Sequence, residues 1–308
     1  MTMDAGAFSP PSLPPAMFDH DETLQEARER NIHDALFEDI GRCDWTARLV
    51  PAGRQVKAHV RVREGAVLCG RDWFEGVFRA LDPASRIDWC YEEGASMQAD
   101  SLVCHIVADG RALLSAERPA LNFLQLLSAT ATLTRQHVDA IAGASPSARG
   151  CAVLDTRKTL PGLRLAQKYA VRVGGGANQR LALYHGILIK ENHIAAAGGV
   201  GAALRAAQAL QAGVDIQIEV ESIAELREAL DAGATSVLLD NFSEAMMREA
   251  VALNGGRALL EVSGGVALDQ LRWIAATGVD RISIGRLTKD VKAVDYSMRV
   301  EGPVDSPA

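Results

Sequence analysis

Between Arg149 and Lys190 the chain carries eight cationic side chains (Arg149, Arg157, Lys158, Arg164, Lys168, Arg172, Arg180 and Lys190) against a single acid, Asp155. In a chain of net charge −7 such a local excess points to a ligand with several negative charges, because guanidinium forks match carboxylate and phosphate oxygens. Further on, Glu219 and Asp240 stand amid apolar residues, where a carboxylate is costly to bury without a partner. Ribose hydroxyls, and a magnesium ion carried by a pyrophosphate, would satisfy both, since hard oxygen ligands are what that ion prefers. Ser263, Gly264 and Gly265 follow one short apolar run and Gly285 another, the setting in which backbone N–H groups at a helix start bind phosphate. The chemistry implied is transfer involving a phosphorylated sugar and a polyanionic partner.

Several of these residues also have simpler readings. A solvated helix face accounts equally well for Arg149, Arg164, Lys168 and Arg172. His193 fits a helix cap or core role better than a place in a binding mouth, and no histidine pair has H-E-x-x-H spacing. Gly174, Gly175 and Gly176 lack the G-x-G-x-x-G pattern of a dinucleotide loop, and read as a flexible loop delivering Asn178 and Arg180. Lys190 at a strand end could instead be the nucleophile of a Schiff-base aldolase.

Elements that could gather these groups are legible in the spacing. Asp21 to Ile40 predicts a helix stopped at Gly41. Gln55 to Arg63 alternates apolar and polar residues as a half-wet strand does. Leu102–Val107 and Arg111–Ser115, flanking Asp109-Gly110, read as a hairpin, followed by a long helix from Glu117 to about Ala142. After a linker at 143–150, apolar runs at 152–155, 187–189, 216–220, 236–239, 258–262 and 282–284 alternate with helical stretches such as 223–232, capped by Ser222 and stopped by Gly233. Strand and helix in alternation imply parallel strands. Nearly every charged or Gly-rich group named above lies at or just past the C-terminal end of a predicted strand, the face where α/β barrels build active sites. The expected architecture is therefore α/β: an N-terminal mixed α+β domain over 21–142 and an incomplete α/β, TIM-like barrel over 143–290. A Pro-rich, disordered lead-in over 1–20 would precede them, and a C-terminal segment over 291–308 would pack back on the first domain.

Composition narrows the function classes. The acidic balance argues against a nucleic-acid binder working by overall charge, and no apolar run reaches the roughly 20 residues needed to cross a bilayer. Five dispersed cysteines without C-x-x-C spacing read as reduced thiols in a cytoplasmic protein.

The segments ERPALNFLQLLSATAT, DTRKTLPGLRLAQKYAV, GGGANQR, LIKENHI, IEVES, LLDNF, EVSGG and GVDRISIGRLTK, spread from Asp21 to Arg299, resemble the quinolinate phosphoribosyltransferases. The resemblance implies joining of quinolinate to phosphoribosyl pyrophosphate with loss of CO2, a magnesium requirement, and a homodimer with a shared active site, further homo-oligomerisation being left open. It implies that Arg118 reaches into the partner's site and that Arg157, Arg180 and Lys190 hold the two carboxylates. Lys158, with Thr159 beside it, would meet the pyrophosphate. Glu219 and Asp240 would serve the ribose and magnesium, and Ser263, Gly264, Gly265, Gly285 and Lys289 the phosphate. Gln179 and Lys289 stand where the family usually has His, and His185 where Asp is common. A related phosphoribosyltransferase of the molybdenum-transport-associated type remains the nearest alternative. A ligand-sensing barrel without activity is the non-enzymatic one.

Overall fold

The structure, a computed structural model, describes residues 18–304. The prolines at positions 10, 11, 14 and 15, on which the disordered lead-in was based, lie outside the described residues. Helix α1 (Leu24–Ile40) begins at a capping box: Glu26 N–H donates to Thr23 Oγ1, and Thr23 N–H donates back to the Glu26 carboxylate. Strands β1 (Gln55–Val62) and β2 (Ala66–Val67) lead to α2 (Arg71–Leu81), whose Trp73, Phe74 and Phe78 are fully buried. Strands β3 (Arg86–Trp89), β4 (Ser96–Met97) and β5 (Leu102–Asp109) follow.

Where a hairpin was expected after Asp109, the chain instead enters the 32-residue helix α3 (Gly110–Ile141). Asp109 is its N-cap, accepting the N–H groups of Arg111 and Ala112 at 2.9 and 3.2 Å. An Asp-Gly pair serves either a turn or a cap. Here Leu113, Ala116, Ala120, Leu121 and Leu124 supply a buried stripe at helical spacing, so burial along α3 outweighs the local preference for a turn.

The second half alternates as its spacing predicted. In order come β6 (Ala152–Leu154), α4 (Arg164–Val173), β7 (Gly186–Ile189), α5 (Glu191–Ala197), α6 (Val200–Ala209), β8 (Asp215–Val220) and α7 (Ile223–Asp231). Then follow β9 (Ser236–Asp240), α8 (Glu244–Asn254), β10 (Leu259–Ser263), α9 (Leu271–Ala275), β11 (Arg281–Ser283) and α10 (Arg286–Lys289). Ser222 caps α7 by accepting Glu225 N–H at 3.2 Å. The six strands form one parallel sheet of order β6-β11-β10-β9-β8-β7. Within the described residues, β6 and β7 at its two ends do not pair, and beyond this ladder Leu154 bridges only to Ala177. The barrel is thus incomplete, with the chain around 177–180 lying at the opening.

Finally β12 (Tyr296–Pro303) returns to pair antiparallel with β1, giving the N-terminal sheet the order β12-β1-β5-β3. Because Asp109 anchors the start of the helix that this sheet packs against, Asp109→Ala should lower stability by about 1–2 kcal/mol. Urea denaturation would show this, with turnover per folded molecule unchanged.

Candidate active site

Strand geometry sorts the barrel residues into two sets. Val153, Ile189, Ile218, Val220, Val237, Leu239, Leu260, Val262 and Ile282 belong to one buried apolar cluster with helix residues such as Leu204, Leu226 and Met247. With a period of two, the alternate residues face the other way, into the barrel. Along β8 these are Gln217 and Glu219, along β10 Glu261 and Ser263, and along β9 Leu238 and Asp240. On β8, β9, β10 and β11 the last inward residue is polar (Glu219, Asp240, Ser263 and Ser283), whereas on β6 and β7 it is Leu154 and Leu188. The sheet order arranges the strand ends in sequence: Lys158 beyond β6, Gly285 beyond β11, Ser263, Asp240, Glu219, and Lys190 beyond β7.

Contacts between neighbours confirm that row. A Cβ on Gly285 would lie 3.0 Å from Lys158 Cδ and 3.8 Å from its Nζ, so the lysine is laid over a residue whose lack of a side chain leaves it room. Ser263 pairs in register with Asp240, and Asn241 donates from Nδ2 to the Asp240 carboxylate at 2.8 Å. Gly264, at φ +107°, would drive a Cβ to 2.6 Å from Asn241 Oδ1, so only glycine fits that turn. Lys190 Nζ donates to Glu219 at 2.7 Å, with the carboxylate 10% exposed and the lysine 45%. Arg157 Nε is buried and, among the described residues, has no hydrogen-bond partner.

The loop carrying Arg157 and Lys158 is fixed from below. Asp155 is fully buried; its carboxylate accepts from Lys168 Nζ, from Asn178 Nδ2 at 2.6 Å and from Gln179 N–H at 3.0 Å. Lys168 also donates to the Gln179 carbonyl at 2.9 Å. Burial pushes the Asp155 carboxyl up and the Lys168 ammonium down. The converging donors nevertheless fit an ionised carboxylate, and we assign the pair as charged. Gln167, also fully buried, accepts Leu160 N–H at 2.8 Å and donates to the Thr288 carbonyl at 2.8 Å, while Thr288 Oγ1 donates to the Lys158 carbonyl at 2.7 Å. Arg164 reaches Thr159 Oγ1 at 3.2 Å and the Arg157 carbonyl at 3.3 Å.

Other predicted residues sit elsewhere or serve differently. Arg180 is half-buried and donates to the carbonyl of Gly186, the first residue of β7, at 2.9 Å, so in this structure its guanidinium lies toward the N-terminal ends of the strands and not in the strand-end row. Burial, then the nearby Arg157 charge, lowers its pKa from the usual arginine value. Arg118 is exposed on α3, and its guanidinium lies 4.0 Å from Glu117. Lys289 is exposed on α10, 3.7 Å from Asp290. His193 accepts Lys190 N–H at 3.0 Å, as a helix cap does. The 174–176 glycines are not a flexible loop. A Cβ on Gly174 would lie 2.5 Å from the Ala131 carbonyl, and one on Gly176 2.8 Å from Thr134 Cγ2, so this turn is packed against α3. A cleft of ≈ 920 Å³ lies between the 159–165 loop and the chain at 18–30. Of the residues singled out in the sequence it borders Thr159 and Arg164, and the strand-end groups lie outside it.

Two family models match, one described as "Quinolinate phosphoribosyl transferase, C-terminal domain" over residues 130–299 and one as "Quinolinate phosphoribosyl transferase, N-terminal domain" over 44–128. The chain belongs to the quinolinate phosphoribosyltransferase family. A nicotinate-nucleotide pyrophosphorylase (carboxylating) of Mycobacterium leprae (strain TN) is 40% identical over 283 residues, 89% of this chain and 97% of that one. A mitochondrial quinolinate phosphoribosyltransferase (decarboxylating) 2a of Nicotiana tabacum is 37% identical over 290 residues, covering 87% and 80%. The solved nicotinate-nucleotide pyrophosphorylase from Francisella tularensis superposes with a TM-score of 0.85 at 39% identity, over 92% of this chain and all of that one.

Within this phosphoribosyltransferase fold, Gln167 and Thr288 were not anticipated from the sequence, and Lys168, expected on a solvated helix face or toward an anionic ligand, is instead 1% exposed and paired with Asp155. A signal for the pair existed: Asp155 is the lone acid in the cationic stretch, and Lys168 lies one helical turn before the apolar Val171. Lys168→Met should destabilise the fold by about 3–5 kcal/mol, because it strands a buried carboxylate. Asp155→Asn paired with Lys168→Met should cost less than the Lys168 change alone, as a double-mutant cycle by chemical denaturation would show.

Proposed function

We propose that this chain transfers the phosphoribosyl group of phosphoribosyl pyrophosphate to quinolinate, giving nicotinate mononucleotide, pyrophosphate and CO2. The supporting observation is the row of strand-end groups: cations at both ends, Lys158 beside Arg157, whose Nε has no hydrogen-bond partner among the described residues, and Lys190 at the far side, with Ser263, Asp240 and Glu219 between. A dianionic acid and a phosphorylated sugar match that distribution of charge.

In this reading the pyridine nitrogen forms a bond to C1 of the ribose while the C1–O bond breaks and its electron pair leaves with pyrophosphate. Lys158 stabilises the leaving charge, with Thr159 beside it. Asp240 and Glu219 hold the ribose hydroxyls and face the positive charge that develops on the sugar. Arg157, Arg180 and Lys190 orient the two carboxylates. Ser263, Gly264, Gly265 and Gly285, with Lys289, take the 5′-phosphate. The bond between the ring carbon next to the nitrogen and its carboxylate then breaks and CO2 departs; the electron pair stays on that ring carbon, stabilised by the adjacent positively charged nitrogen, and the carbon takes a proton from solvent.

Among the described residues no three acidic, His or Cys side chains converge into a cage. The donor set at the row is two carboxylates from neighbouring strands, Glu219 and Asp240, which suits a magnesium ion that keeps waters and rides on substrate phosphates. Bound there, magnesium would neutralise charge on the pyrophosphate. The exposed Arg118 on α3 fits donation to the site of a second copy in a homodimer. A reducing compartment such as the cytoplasm suits five cysteines that form no disulfide, and no helix of the described chain is long and apolar enough to cross a membrane.

Purified protein given quinolinate, phosphoribosyl pyrophosphate and magnesium should form nicotinate mononucleotide, with little product when nicotinate replaces quinolinate. Equal or faster use of nicotinate would overturn the substrate assignment. Lys158→Ala should reduce kcat/KM at least about 100-fold, the loss of one preorganised electrostatic contact, and wild-type turnover would remove Lys158 from the mechanism.

A further inference from the structure

Below the strand-end row a line of side-chain amides crosses the barrel interior, and its direction is fixed by one group. The Arg180 backbone N–H can only donate, and it donates to Gln179 Oε1 at 2.6 Å. The Gln179 amide must therefore turn its Nε2 the other way, where it meets Gln217 Oε1 at 2.7 Å. That contact orients Gln217 in turn, and its Nε2 donates to Glu261 Oε2 at 2.9 Å. Glu261 is completely buried and Gln217 nearly so. Glu261 is thus the terminal acceptor of a one-way chain that begins at the Arg180 main-chain N–H.

The chain has mechanical work to do. Gln179, Arg180 and Gln217 border a cavity of ≈ 510 Å³ that runs from the 177–180 segment to the N-terminal ends of the strands, so the Gln179 side chain has room to swing away if its acceptor is lost. Glutamine gives up substantial rotamer freedom when it is fixed, and hydrogen bonds to both ends of the amide oppose that loss. Other contacts hold the Gln179 main chain, through Asp155 and Lys168; the side chain depends on Gln217.

We propose that Glu261 and Gln217 are positioning residues for the transferase reaction: they fix the Gln179 amide, and through its oxygen the Arg180 main chain, so that the Arg180 guanidinium is presented to a substrate carboxylate. This rests on the reading of Arg180 as a carboxylate-binding group. Burial pushes the Glu261 carboxyl up, and among the described residues no cation hydrogen-bonds to it, while its Oε1 has no partner. What the chain asks of Glu261 is one acceptor, Oε2, at the end of the line. A glutamine there can present the same acceptor.

Steady-state kinetics and thermal melting of Gln217→Met, Glu261→Leu, Glu261→Gln and Arg180→Ala test the assignment. Gln217→Met and Glu261→Leu should raise KM for quinolinate about tenfold, the loss of one buried hydrogen-bond partner. KM for phosphoribosyl pyrophosphate should stay within about twofold, a difference too small to count as a lost hydrogen bond, and Glu261→Gln should restore the quinolinate value. An unchanged quinolinate KM in folded Gln217→Met, or a rise in both KM values that merely tracks a falling Tm, overturns the proposal, and Gln217→Met decides the matter if Glu261→Leu does not fold. If Arg180→Ala itself leaves quinolinate KM unaltered, the underlying role of Arg180 fails. If Arg180→Ala raises it and Gln217→Met does not, only the positioning role fails.

Discussion

The buried Asp155 carboxylate is the constraint on which the site is built. It stands one residue past the end of β6 and gathers Lys168 from α4, the Asn178 side chain and the Gln179 main chain. Those three come from segments that the parallel sheet does not join, because β6 and β7 do not pair. An incomplete barrel has an unpaired strand edge, where backbone groups need partners. Here the Ala177 bridge and the Asp155 cluster meet part of that need and hold the Arg157-Lys158 loop beside the 177–180 segment. A neutral residue at 155 could not take the ammonium together with two N–H donors.

The same economy of charge explains how a protein of net charge −7 presents a cationic hollow. Of the eight cations between Arg149 and Lys190, Lys168 is used internally, Arg164 is turned onto the loop that carries Arg157 and Thr159, and Arg180 donates to the start of β7. Lys190 is held by Glu219, which keeps a flexible side chain in place at the rim. Among the described residues the buried Arg157 Nε has no hydrogen-bond partner, and Lys158 lies over Gly285. A cation already neutralised by a protein carboxylate contributes less to an incoming anion, so in the proposed reading the pair at the β6 end would be the stronger anchor.

Barrel strands also divide labour by depth. Outward residues are aliphatic and pack under the helices. Inward residues at mid-depth, Gln217 and Glu261, are polar yet almost wholly buried, a costly arrangement unless each finds partners. The amide chain through Gln179 provides most of them, and Glu261 Oε1 is the exception. Ligand-facing groups occupy the last inward positions, where the strands end and water or substrate can reach.

Much of this was determined locally, and so was readable from the sequence. Six short apolar runs separated by helical spacing gave six parallel strands with ends within about one residue of the expected ones, because burial of β-branched and aliphatic runs leaves few alternatives. Polar groups at those ends, from Lys158 to Gly285, were legible for the same reason: a strand's end fixes where its next side chain lies. The Asp109-Gly110 hairpin failed because the dipeptide serves turns and caps alike, and only burial along α3 chose between them. Tertiary structure alone decided that Lys158 lies over Gly285, that Lys168 turns inward to Asp155, and that Gln179, Gln217 and Glu261 form one line. Sheet order and the inward or outward turn of a buried polar residue depend on partners far away in the chain, and no short stretch of sequence carries that information.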